Sequence, residues 1–190
     1  MDITRSKSKT FNVNLTIVEL DGQLIPLFDD SLKNSFEVKQ CSSCNSTDLV
    51  KQDKKLICQK CKFELSLPIF YEEQATFIKW GWALENVIRR DAIARDDRNG
   101  NVWVDIGKLR ESKLKKMLVD WTINVFDEDG NNLSKIERVE KNENGVRQVE
   151  MTDECFHRIT EIPEIADIIT AFMNKADNIL ELRQRETKKN

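Results

Sequence analysis

The sequence predicts an α+β fold: an N-terminal β-hairpin and a four-cysteine module, followed by a small helical domain. Three observations carry that expectation. Residues 11–25 alternate in hydropathy about an Asp-Gly pair, the stretch "CSSCNSTDLVKQDKKLICQKC" (41–61) holds two Cys-x-x-Cys pairs, and beyond Pro68 apolar residues recur at spacings of three and four. At 190 residues the chain can bury one ordinary core plus a small appendage. The expected divisions are an arm over 1–35, the cysteine module over 36–67 and the helical domain over 68–186. With 39% hydrophobic and 33% charged residues, the balance is that of a soluble globular protein rather than of a disordered chain.

In the arm, "TFNVNLTIVELDGQLIPLF" places Phe11, Val13, Leu15 and Ile17 on one face, turns at Asp21-Gly22 and resumes with Leu24 and Ile25. Asp-Gly between alternating runs is a two-residue hairpin signal. Pro26 cannot donate to a ladder, so the second strand is expected at an edge or to end early. This pair can extend the sheet of the cysteine module or pack on the helical part.

The chain has five cysteines, four of them in the two close pairs. A disulfide inside either two-residue loop would be strained, so the pairs read as thiolates held by a metal in a reducing compartment. In a tetrahedral site the short spacer lets both sulfurs of a pair face one ion, and Cys41, Cys44, Cys58 and Cys61 complete the set for Zn2+. The segment between them has the turn residues and short alternation of a hairpin, and the flanking "FEVKQ" and "KFELSL" alternate as strands do. The pattern over about 36–67 resembles a zinc ribbon. Four thiolates leave no open coordination position, so the metal is expected to be structural. Modules of this kind bind nucleic acid, bind protein or cap a larger domain. Lys39, Lys51, Lys54, Lys55, Lys60 and Lys62 make this one locally basic, which is the feature that favours nucleic acid. Phe36 and Phe63 are its only candidate stacking platforms, and their alternation with polar residues predicts that both face a core.

Past Pro68, "YEEQATFIKWGWALENVIRRDAIARDD" predicts an amphipathic helix with Phe77, Trp80, Ala83, Leu84, Val87 and Ile88 on its apolar face. Glu72 and Glu73 suit its first turn. Gly81 inside it would cost about 1 kcal/mol against alanine. "DDRNGN" ends the helix, "VWVDI" is a short strand or extended connector, and "GKLRESKLKKMLVDW" predicts a second helix with Leu114, Met117, Leu118 and Trp121 on one face and lysines on the other. Trp80, Trp82, Trp103 and Trp121 are expected in the core. Residues 130–150 read as a mobile loop or an exposed hairpin turning at Asn144-Gly145. Thr152 suits an N-cap before "DECFHRI". Pro163 opens a last helix whose apolar positions are Ile165, Ile168, Ile169, Phe172, Ala176, Ile179 and Leu180, and "RQRETKKN" is expected to fray.

Enzyme constellations are missing from this pattern. In "DEDGNN" the glycine comes too early for a calcium loop and no glutamate closes it, so an Asx-rich turn is expected. The sole histidine, His157, stands two residues from Cys155 without useful dyad geometry, and there is no phosphate-binding glycine loop or nucleophile elbow. No catalytic or organic-cofactor residues are therefore assigned. Cys155 is expected to be a packed helix residue.

"LENVIRRDAIARDD", "KLRESKLKKMLVDWTINVFDEDGNNL" and "MTDECFHRITEIPEIADIITAF" together resemble structural-module proteins of tailed phages, particularly tail assembly chaperones. The resemblance covers about 75–180 and is carried by Leu118, Trp121, Asp127, Asp129, Gly130, Thr152, Ile165 and Ile168. It implies a non-enzymatic protein that binds other tail or baseplate proteins in the cytoplasm of the bacterial host, with or without retention in the virion. The alternative is a zinc-ribbon nucleic-acid-binding or transcription-associated factor. A net charge of −3 favours the first, since no global basic field attracts nucleic acid. No apolar run approaches the roughly 20 residues that span a bilayer, so no membrane partner is expected.

Overall fold

The computed structural model describes residues 10–53, 55–79, 81–95, 99–143 and 146–187, and mixes strands with helices as an α+β protein does. The chain divides into two compact units, one spanning Leu15–Glu73 and the other made of the residues up to Asn14 together with those from Gln74 onward.

The hairpin forms as its pattern predicts. Strand β1 (Thr10–Leu20) pairs antiparallel with β2 (Gln23–Leu27), Leu20 opposite Gln23. Asp21 and Gly22 take φ of 52° and 78°, the left-handed pair that matches the twist of a two-residue hairpin. Phe11, Val13, Leu15 and Ile17 are all buried. β1 and β2 lie in a sheet of order β2-β1-β6-β9, with β6 at Ile69–Ile78 and β9 at Leu118–Trp121, and not in the sheet of the cysteine module. Pro26 thus sits on an edge strand, where its missing N–H breaks no ladder.

Two helix expectations are corrected here. Residues 71–78 belong to β6 and the helix starts only at Trp82, giving α1 (Trp82–Asp91). In "FYEEQATFI" alternation wins: Ala75 and Phe77 are fully buried, and Ala75 pairs with Trp121 of β9. Gly81 is the extended N-cap of α1 at φ −119°, ψ 156°, so it has no mid-helix cost. Likewise α2 ends at Met117 and "LVDW" is β9. Leu114, Met117, Leu118 and Trp121 are nonetheless all buried, because helix and strand both turn them inward.

Between these helices, β7 (Ile93–Arg95) and β8 (Val102–Val104) form a separate two-stranded ribbon. Asp105 caps α2 (Ile106–Met117), its carboxylate accepting from Lys108 N at 3.0 Å. Trp103 is 50% exposed, against the expectation that the tryptophans are core, and Ile93, Val102 and Val104 of the same ribbon are exposed with it. Trp121 is buried, and its Nε1–H donates to Ser134 O at 2.6 Å. Trp80 lies outside the described residues, as do the side chains of Trp82 and Ala83.

The 130–150 region resolves into two parts. Asp127 accepts from the backbone N–H of Asp129 and of Asn131, and Gly130 takes φ 83°, which makes "DEDGNN" an Asx-rich turn. Hydrogen bonds from Asn131, side chain first, hold the Asp127 carboxyl below its ordinary range. Strands β10 (Arg138–Glu143) and β11 (Val146–Met151) then form a hairpin with Glu143 opposite Val146, and Asn144-Gly145 lies outside the described residues. Its C-terminal end is no exposed loop, since Glu150 and Met151 are buried.

Thr152 caps α3 (Asp153–Thr160), its hydroxyl accepting from Cys155 N at 3.1 Å. Pro163 opens α4 (Pro163–Thr187), on which Ile165, Ile168, Ile169, Phe172 and Ala176 are buried. The helix persists through Thr187, beyond the fraying expected from Arg183, because "ELRQRE" consists of good helix formers. Lys188 to Asn190 lie outside the described residues.

Candidate metal centre

Two turns build the site, and they are alike. In the first, Cys41 O accepts from Asn45 N at 2.8 Å and Cys41 N donates to Ser46 O at 2.8 Å. In the second, Cys58 O accepts from Lys62 N at 2.8 Å and Cys58 N donates to Phe63 O at 3.0 Å. Asn45 and Lys62, each four residues after its leading cysteine, both adopt left-handed φ, 57° and 60°. Each turn folds its amides inward around the leading cysteine and so brings two sulfurs to one side.

A three-stranded sheet of order β3-β4-β5 joins the turns: β3 (Leu49–Gln52), β4 (Lys55–Cys58) and β5 (Glu64–Ser66). Leu49 lies opposite Cys58, so the register of this hairpin sets the second turn against the first. The 13 residues expected to form a hairpin do so, with Lys54 outside the described residues. "KFELSL" supplies β5, whereas "FEVKQ" is not a strand. Phe36 instead closes a 3₁₀ helix over Asp30–Phe36, capped by the Asp29 carboxylate accepting from Ser31 N at 2.8 Å. Phe63 is 46% exposed and so does not face a core, because it precedes β5 in the turn rather than standing on a covered face. Phe36 is half-buried.

Cys41, Cys44, Cys58 and Cys61 have their sulfurs within 4.8 Å of one another, the only such cluster of potential ligands among the described residues. Across the two turns Cys41 Sγ stands 3.6 Å from Cys61 Sγ, and Cys44 Sγ 3.5 Å from Cys58 Sγ. A tetrahedron with metal–sulfur bonds of about 2.3 Å has edges of about 3.8 Å, so the four sulfurs are placed to bind a metal ion with little movement. Cys41 and Cys58 are buried, Cys44 is half-buried and Cys61 is exposed. The backbone N–H of Cys61 draws the Cys58 thiol down to about 6 against the effect of burial. For Cys44, the Ser46 N–H that favours a thiolate is outweighed by burial and the neighbouring cysteines, which push it up to about 12. Cys58 is thus the readier of these two to meet a cation as a thiolate, and Cys44 would lose its proton on binding one.

Cys155, the fifth cysteine, is buried in α3, its sulfur accepting from Glu137 N at 3.3 Å. His157 is exposed and lies edge-on to Phe156 at 5.6 Å.

Sequence reasoning missed a second polar centre, at the end of α2. Lys116 and Glu150 are both buried and paired at 2.6 Å; Lys116 also meets Asp91 at 3.2 Å, and Glu150 meets Lys141 at 2.5 Å. Ser112 Oγ donates to Asp91 at 3.0 Å, so two residues one helical turn apart hold the same carboxylate. The guanidinium of Arg138 donates to the carbonyls of Lys116, in the last turn of α2, and of Leu118, at its C-cap. Burial alone would lower Lys116, but Glu150 and Asp91 outweigh it and raise its pKa; burial would likewise raise Glu150, yet Lys116 and Lys141 bring it down. Both groups are held charged. The lysines expected on a solvated face are instead in part internal, and the available signal was the i, i+4 spacing of Ser112 and Lys116.

No family model matches the chain, and neither a curated protein nor a solved structure matches it.

Proposed function

We propose that the chain is a non-enzymatic protein of tailed-phage tail or baseplate assembly in which a zinc-bound ribbon serves as a structural staple. The observation that carries the zinc reading is the set of four cysteine sulfurs within 4.8 Å of one another, which as thiolates would fill a tetrahedral coordination shell and leave no position for a reacting water. The buried ion-pair centre at the end of α2 supports a role without chemistry, because Lys116 is raised and therefore a poor base.

The phage reading rests on the resemblance over about 75–180. Its supports are the Asx turn at Asp127, Asp129 and Gly130, the Thr152 cap, and the buried Ile165 and Ile168, which are the packing and turn features that carry the likeness.

Charge favours this reading over nucleic acid. Between residues 36 and 67 six lysines face four acidic residues, an excess of two positive charges. Four thiolates around a divalent ion carry two negative charges, so the loaded module is neutral and attracts phosphates weakly.

The test is elemental analysis of the purified chain beside binding assays with the tail-tube, tape-measure and baseplate proteins of the same genome. One zinc per chain and capture of one of those proteins at physiological salt are expected. Submicromolar, salt-sensitive binding of DNA or RNA that is abolished when Lys51, Lys54 and Lys55 become glutamate, with no tail protein captured, would overturn the assembly reading.

A further inference from the structure

Helices α2, α3 and α4 wall a cleft of about 450 Å³. That volume falls within the roughly 300–1,000 Å³ of small-molecule sites. Its walls are tied together on two sides. Lys113 of α2 pairs with Asp177 of α4 at 2.5 Å. Lys115 of α2 pairs with Asp153 of α3 at 2.8 Å, and its Nζ stands 4.5 Å from the ring centroid of Phe156. All three helices belong to one unit of the chain, so the cleft is a product of that unit's own packing.

The chemistry of the lining defines what fits. Its best-covered members are apolar: Leu114 and Ile169 are buried, Phe156 and Met173 half-buried. Thr160 and Thr170 donate their hydroxyls to Phe156 O and Ala166 O at 2.8 and 3.0 Å, so neither leaves a donor for a ligand to satisfy. Of four charged residues on the lining, three are already paired, Glu111 with Lys115 and Lys113 with Asp177, both at 2.5 Å. The fourth is Arg110, exposed and without a partner among the described residues. The one unpaired charge beside this apolar hollow is therefore positive.

We propose that the cleft binds a small apolar monocarboxylate, of the kind a medium-chain fatty acid exemplifies. Its tail lies among Leu114, Phe156, Ile169 and Met173, and its carboxylate meets Arg110. A guanidinium presents a planar fork that matches a carboxylate with two parallel hydrogen bonds. One free guanidinium suits a single negative charge, whereas a polyanion such as a nucleotide would set further charges against Glu111 and Asp177. A cation would meet Arg110 as a like charge. Phe156 and Met173 offer a flat and a flexible surface, on which an acyl chain packs without one imposed shape. A helix of a protein partner, about 10–12 Å across, is too wide for a hollow whose volume equals that of a cube about 8 Å on a side. This inference stands independently of the assembly reading.

Calorimetric titration of the metal-loaded full chain with decanoate and with decylammonium, which differ in the sign of the head group, tests it. One decanoate per chain is expected, with Kd below about 1 mM, and decylammonium weaker by about tenfold or more. Arg110→Gln, at an exposed position, is expected to weaken decanoate by about tenfold or more and to erase the preference between the two ions, with helical circular dichroism and zinc content unchanged. Ala166→Phe, also at an exposed helix position, fills the hollow and is expected to abolish binding of both. In the wild-type chain, decanoate should shift amide resonances within 107–114, 156–160 and 166–177. Decanoate that does not bind by about 1 mM would overturn the proposal and leave the hollow to a side chain of a protein partner. Equal binding of the two ions, or decanoate binding that Arg110→Gln leaves intact, would overturn it too. Should Ala166→Phe misfold, amide shifts centred outside those three stretches would do the same.

Discussion

Lys116 shows how one side chain settles the end of a helix. Its ammonium lies between Glu150 and Asp91, with Glu150 itself buried and also bound by Lys141. Removing one member of a buried pair leaves the other without compensation, and Lys116→Met is therefore expected to cost about 3 kcal/mol in urea denaturation. The double variant Lys116→Met, Glu150→Met should recover most of that loss; a single variant within about 0.5 kcal/mol of wild type would show that the pair is not stabilising. The pH dependence has a definite sign. Glu150 is lowered from 4.5, so its contribution is complete above that value and disappears as pH falls through the folded pKa. Lys116 is raised from 10.5, so its contribution is complete below that value and disappears as pH rises through the folded pKa. At the candidate metal centre, Cys58→Ser removes one of the four clustered sulfurs and is expected to lower zinc content well below one per chain, as elemental analysis would read.

At the scale of elements, α3 depends on its cap. Thr152→Ala strips the acceptor from Cys155 N and should cost about 1 kcal/mol of stability, seen as a lower thermal midpoint, whereas Thr152→Ser should cost little. α3 was legible because its signals are local: a capping threonine, two acids in the first turn and an apolar spacing that buries Cys155 and Ile159. The β1–β2 hairpin and the four cysteines were legible for the same reason, since a turn dipeptide and a ligand spacing are complete within a few residues. The misread stretches depend on partners distant in sequence. "YEEQATFI" has helical and alternating apolar positions at once, and pairing of Ala75 with Trp121, 46 residues on, selects the strand. "LVDW" is drawn out of α2 by that same pairing. Lys116 looked solvated because its acceptors, Asp91 and Glu150, come from other elements that no pattern around residue 116 can announce.

For the whole molecule, the metal is expected to act locally. Stripping it with a chelator should speed amide exchange across residues 41–66 at least about a hundredfold, while α3 and α4 keep their protection. Equal loss of protection in α4 would mean that the ribbon governs the entire chain. The division into units has a bearing on synthesis as well. Leu15–Glu73 is one unbroken run, whereas the other unit joins residues up to Asn14 with those from Gln74 onward. On the ribosome the cysteine-bearing unit has all its residues once Glu73 has emerged and can capture its ion at that moment. The first residues of β1 must wait, with Phe11 and Val13 uncovered, until translation delivers later residues of their unit such as Phe77, whose ring stands 6.0 Å from that of Phe11. The order of emergence therefore lets the metal-binding unit mature before the other and leaves Phe11 and Val13 uncovered in the meantime, a natural point of engagement for holding factors during translation.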